Sequence, residues 1–77
     1  MQLNIKYFGL LAEITGCHEE TINFEGSMLY ELLEIVFKKY PELEKNDFQL
    51  AQNKEIVNRN IKITHTEIAL LPPFSGG

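Results

Sequence analysis

Pro72-Pro73-Phe74-Ser75-Gly76-Gly77 is the stretch of this 77-residue sequence whose residue types best suit chemistry. A Gly-Gly carboxylate has no side-chain bulk beside it. It can be threaded into another protein's active site and modified there. Gly77 would present the carboxyl group with no Cβ to block approach. Gly76 permits φ values closed to other residues, so the backbone can bend through a narrow channel. Phe74 is the expected anchor, because an exposed aromatic filling a pocket is a typical binding hot spot. Ser75 lies between that anchor and the glycines and would enter with them. Pro72 and Pro73 fix φ and stiffen the exit, which lowers the cost of ordering the tail on binding.

Other reactive side chains point nowhere in particular. Cys17 and His18 are adjacent, and neighbours on a strand face opposite ways, so they make no catalytic pair. One cysteine and two histidines do not amount to a metal-site signature, and no metal is expected. No Gly-rich phosphate loop with a lysine is present, so ATP would belong to a partner. Alternation buries only one of Tyr7 and Phe8. The reading carried forward is that Phe8, with Leu11 and Phe74, forms an apolar patch for a partner. Plain packing is the competing reading for each.

The elements that must position the tail follow from the patterning. Leu3, Ile5 and Tyr7 alternate with Asn4, Lys6 and Phe8, which predicts a first strand ended by Gly9. Leu10–Thr15 reads as a short helical turn closed by Gly16. Residues 20–25 alternate again, with Ile22 and Phe24 on one face. Ser27 is the predicted N-cap of a helix. Leu29, Leu32, Leu33, Val36 and Tyr40 form its apolar stripe. Glu31 and Lys38-Lys39 suit the helix dipole, and Glu34 can pair with Lys38. Pro41 stops the helix, and residues 42–47 read as a polar connector. Residues 48–52 predict a third strand, Asn53-Lys54-Glu55 a tight turn, and Ile56-Val57 a short return strand. Glu67–Leu71 is the last strand. Its near-continuous apolar run predicts a central strand covered on both faces. The first and last strands are expected to pair in the middle of one mixed sheet, with the helix across it. That is an α+β roll of the ubiquitin-like, β-grasp kind over residues 1–71, followed by a flexible tail over 72–77.

Composition narrows the function classes. A chain this short makes one small domain that buries only about 60% of its unfolded surface. It can scarcely wall a cofactor pocket of about 300–1,000 Å³. A net charge of −4 argues against nucleic acid, which calls for a basic patch. A single cysteine forms no internal disulfide. No opening signal segment and no bilayer-spanning run is evident, so the expectation is a soluble, cytoplasmic protein without a membrane partner.

Taken in order, three stretches resemble the small subunit of molybdopterin synthase, a sulfur-carrier family that includes the thiamine-pathway carrier. They are Tyr7-Phe8-Gly9 with Glu13-Ile14-Thr15-Gly16; Ala51-Gln52-Asn53-Lys54-Glu55-Ile56-Val57; and Glu67-Ile68-Ala69-Leu70-Leu71 with the tail after it. The Pro-Pro-aromatic-Ser-Gly-Gly form is the most specific of these. His65-Thr66 stand where the family usually has Gly-Asp, Ala12 where an Arg is frequent, and Gln52 where a Val is frequent.

The resemblance implies a function shared between chains. An ATP- and Mg²⁺-dependent, E1-like activating enzyme adenylates the Gly77 carboxylate. A sulfur donor of the cysteine desulfurase or rhodanese type then displaces AMP and leaves a thiocarboxylate. The large subunit of molybdopterin synthase uses that sulfur for the molybdopterin dithiolene, so this chain alone is inert and binds no cofactor. The same chemistry could serve thiamine thiazole formation, tRNA thiolation or cysteine synthesis. A ubiquitin-like modifier joined to lysines is the reading from another class.

Overall fold

The structure, a computed structural model, describes residues 1–73. Chain order is β1 (Gln2–Tyr7), α1 (Leu10–Thr15), β2 (Glu19–Asn23), α2 (Leu29–Lys39), α3 (Pro41–Glu44), β3 (Gln49–Gln52), β4 (Glu55–Val57) and β5 (Glu67–Leu71). The strands form one five-stranded sheet in the order β2-β1-β5-β3-β4. β5 sits in the centre, parallel to β1 and antiparallel to β3. The expected pairing of first and last strands is therefore present.

Alternation decides the faces. Leu3, Ile5 and Tyr7 of β1 are buried, with Ile22, Leu50, Ile68 and Leu70 from the neighbouring strands. Leu29, Leu32, Leu33 and Val36 of α2 close over them. In β1 every second residue is large and apolar, and the helix stripe packs over that face. Burying a side chain of this kind is worth about 1.5–3 kcal/mol.

Four expectations need correction. The helix starts one residue later than predicted, with Met28 rather than Ser27 as N-cap. The Glu31 carboxylate reaches back and accepts from the Met28 and Ser27 N–H groups at 2.9 and 3.1 Å. Those two amides, Met28 first, hold the Glu31 carboxyl below its ordinary value. Pro41 opens a second short helix instead of a connector, because proline suits a first helical position, and buried Leu43 anchors that helix. The expected Glu34–Lys38 pair is not among the ion pairs of the described residues; Lys39 instead pairs with Glu20 of β2 at 2.7 Å. Finally, β5 is covered on one face only, since α2 lies on the Ile68 and Leu70 side.

Glu20 also ties several elements together. It accepts from the Tyr40 hydroxyl, and Cys17 Sγ lies 3.5 Å from it. Tyr7 packs edge-on against Tyr40 at 6.0 Å. Burial raises the Glu20 carboxyl, but hydrogen bonds from Lys39, Tyr40 and Cys17 outweigh this and hold it below its ordinary value. Burial in turn pushes the Tyr7 and Tyr40 hydroxyls up, with Glu20 adding to both. A lowered carboxyl contributes stability above its unfolded value, about 4.3, and loses it as pH falls through the folded value. Glu20→Gln should therefore lower stability at neutral pH and flatten the acid limb of the stability curve below about pH 4. Denaturant melts from pH 7 to 2.5 check this; parallel curves for both proteins would refute it.

The β3–β4 turn carries an unrelieved cost. Asn53 and Lys54 both have positive φ, 54° and 64°. Such turns favour Asn-Gly, and Lys in the left-handed region costs about 1 kcal/mol. Lys54→Gly should stabilise the fold by about 1 kcal/mol in urea melts. An unchanged or lower midpoint would show that the turn is not under strain.

Candidate functional site

The tail leaves from the central strand of the sheet. β5 is paired with β1 up to Leu70 and with β3 up to Leu71, which lies opposite Gln49. The Phe8 N–H donates to the Leu70 carbonyl at 3.1 Å, extending the β1–β5 contact to the exit. Gly9 then turns the chain into α1 with φ 58° and ψ −135°, a region open to glycine almost alone. A Cβ on Gly9 would lie 2.8 Å from Pro72 Cγ. Backbone and tail root thus pass in direct contact, and a side chain would separate them.

Of the predicted site residues, Pro72 and Pro73 are exposed at the end of β5. Phe74, Ser75, Gly76 and Gly77 lie outside the described residues. Phe8 is 44% exposed, as the patch reading requires. Leu11 does not belong to that patch. It is 2% exposed and packs in the core, while Leu10 is the outward residue at 54%. In one short helix two successive residues point about 100° apart, so only one of the pair can face the sheet.

The uncovered face of the sheet holds what the sequence reading missed. Counting by twos from buried Ile68 and Leu70 puts Glu67, Ala69 and Leu71 on the outer side. The register sets Ala69 beside Ala51, and Ala51 beside Ile56, which is 53% exposed. The small alanines make a floor; Phe8, Ile56 and Leu71 stand around it as an apolar wall. The result is an open groove of about 600 Å³ that runs toward the tail root. Lys6, Lys54, His65 and Glu67 form its rim. Lys6 and Glu67 pair at 3.3 Å, an exposed contact that contributes little to stability.

The groove's floor is apolar, its rim is polar, and that is the anatomy of a protein-binding surface. Cys17 and His18 precede β2 on the far side of β1, whereas His65 stands on the groove rim. Among the described residues no three His, Cys, Asp or Glu side chains gather as a metal site. No helix there is long and apolar enough to cross a membrane.

Comparison with known proteins adds sequence and fold. The model of the ThiS family matches residues 5–77. The molybdopterin synthase sulfur carrier subunit of Caenorhabditis briggsae is 35% identical, with all of this chain and 99% of that protein aligned. A Pyrococcus furiosus structure described as molybdopterin converting factor subunit 1 superposes with a TM-score of 0.86 at 21% identity, covering 96% of this chain and 99% of that one. SAMP1 from Haloferax volcanii superposes with a TM-score of 0.81 at 24% identity, with both chains fully covered. At these identities the superpositions establish the fold, which is the β-grasp.

Proposed function

We propose that this chain, which belongs to the ThiS family, is the sulfur-carrying small subunit of a molybdopterin synthase. The observation that carries the reading is the full-length match to a sulfur carrier subunit of that enzyme, 35% identical with 99% of the relative covered. The tail sequence and the exposed root at Pro72-Pro73 support it.

The chemistry begins with a poor electrophile. A carboxylate delocalises its charge, and its leaving group would be oxide. An activating partner with ATP and Mg²⁺ forms an acyl-adenylate at Gly77 and releases pyrophosphate. Sulfide then adds to the carbonyl carbon as the C–O bond to AMP breaks. Where the donor is a persulfide, the first product is an acyl disulfide, and a second thiol cleaves its S–S bond and leaves with the donor sulfur as a disulfide. The product is a thiocarboxylate whose sulfur is nucleophilic. This chain supplies the carboxyl group, a tail thin enough to enter the active sites of both partners, and a docking face. The large subunit docks on the outer groove. Phe8, Ile56 and Leu71 meet its apolar surface, and Phe74 anchors the tail inside it.

Intact mass with fragmentation of the last residues tests the proposal. The protein, kept with its native C-terminus, is incubated with the activating enzyme, ATP, Mg²⁺ and a sulfur donor. The expected result is a sulfur-for-oxygen exchange localised to Gly77. A carboxylate left unmodified under these conditions sinks the carrier reading. Higher-mass conjugates on lysines of other proteins would instead point to a modifier.

A further inference from the structure

Gln52 is a polar side chain on the core side of β3, two residues from buried Leu50, and it is only 7% exposed. Its carboxamide is used at both ends. Nε2 donates to the Lys62 carbonyl at 3.2 Å. Oε1 accepts from the Thr64 N–H at 2.9 Å and from the His65 N–H at 3.4 Å. Residues 58–66, which contain these partners, form no named strand of their own. The carboxamide does for them what a neighbouring strand would do, offering one donor and one acceptor in ladder fashion.

The opposite side of the same segment is bonded to the start of α2. The Ile63 N–H donates to the Ser27 carbonyl at 2.8 Å, and the Leu29 N–H to the Ile61 carbonyl at 3.0 Å. The segment is thus held from two directions. Its last residues, His65 and Thr66, stand on the groove rim. Thr64 Oγ1 lies 2.9 Å from His65 Nδ1 and links the clamped residue to the rim.

We infer that Gln52 is a positioning residue: its buried carboxamide clamps residues 62–65, so that His65 and Thr66 form a preformed wall of the docking groove. The inference rests on the reading that the outer face docks the large subunit. An apolar residue at position 52 would fill the core equally well, and a fold needs no more than that. It would leave the Lys62 carbonyl and the Thr64 N–H without their protein partner. The wall would then sample other shapes, and only the fraction with the right shape would bind. The ordering cost would fall at the moment of docking.

Amide hydrogen exchange and binding to the purified large subunit of the same organism test this together. In Gln52→Leu the Thr64 amide should exchange at least about tenfold faster, while Ile5, Ile68 and Leu70 change by less than about twofold. Affinity for the large subunit, measured well below the melting temperature, should fall about three- to tenfold. Gln52→Glu keeps an acceptor for the Thr64 N–H and loses the donor to Lys62. It should fall between wild type and Leu, and it carries the binding comparison if the Leu variant does not fold. A Thr64 amide that exchanges in the wild-type protein as fast as that of Arg59 overturns the clamp outright. Wild-type binding with an unchanged Gln52→Leu affinity overturns this inference alone. A wild-type chain that does not bind overturns the docking reading beneath it.

Discussion

A chain extended by one residue past Gly77, or shortened by it, should lose sulfur transfer by more than about a hundredfold. One residue adds up to about 3.5 Å of reach. A misplacement of about 1 Å at a reacting atom already costs about a hundredfold, so a whole residue exceeds that limit. The fold should not notice. Among the described residues the last strand ends at Leu71, and the buried core runs from Leu3 to Leu70. Turnover of the reconstituted synthase, paired with urea melts of each variant, is the measurement. Full activity in an extended variant that is not trimmed back to Gly-Gly would end the carrier hypothesis. Activity and stability lost together would mean that the tail is structural.

Gly9→Ala carries the second large effect. Positive φ with ψ near −135° costs a side-chain-bearing residue about 1–3 kcal/mol. The new Cβ also meets Pro72 Cγ at 2.8 Å, so the tail root must shift or the turn must open. A total of about 2–3 kcal/mol is expected, which lowers Tm by about 10–20 °C in a domain of this size. Adding Pro72→Ala should recover only part of the loss, because it relieves the contact and leaves the backbone strain. A Gly9→Ala protein that melts within about 2 °C of wild type would show that this turn is not constrained. Complete recovery in the double variant would assign the whole cost to the contact with Pro72.

Both effects concern residues legible in the sequence, and the same holds for much of the fold. Alternation in β1 and the stripe of α2 gave the core face directly, because each period repeats long enough to be counted. The run Glu-Ile-Ala-Leu-Leu predicts a doubly covered strand, and the fold covers one face. An apolar run says that two faces avoid water, but not whether the second cover comes from the same chain. Here α2 covers one face, and Ala69 and Leu71 remain on the other. Leu10 and Leu11 could not be told apart because α1 has six residues and too few turns to establish a period. Leu43 was hidden in a polar stretch where a single buried residue leaves no pattern. Gln52 and His65-Thr66 looked like separate departures from the family's pattern. Only the fold shows that Gln52 bonds to the His65 N–H and to its neighbour Thr64.

The position of β5 also has a mechanical consequence. A pull on the tail runs along β5, whose hydrogen bonds lie across that direction on both sides, to β1 and to β3. Such bonds are loaded in shear and must give way together. A pull at right angles to the edge strand β4 would instead peel its bonds away one after another. A domain held in this way would keep its shape when pulled along β5, even though it is small.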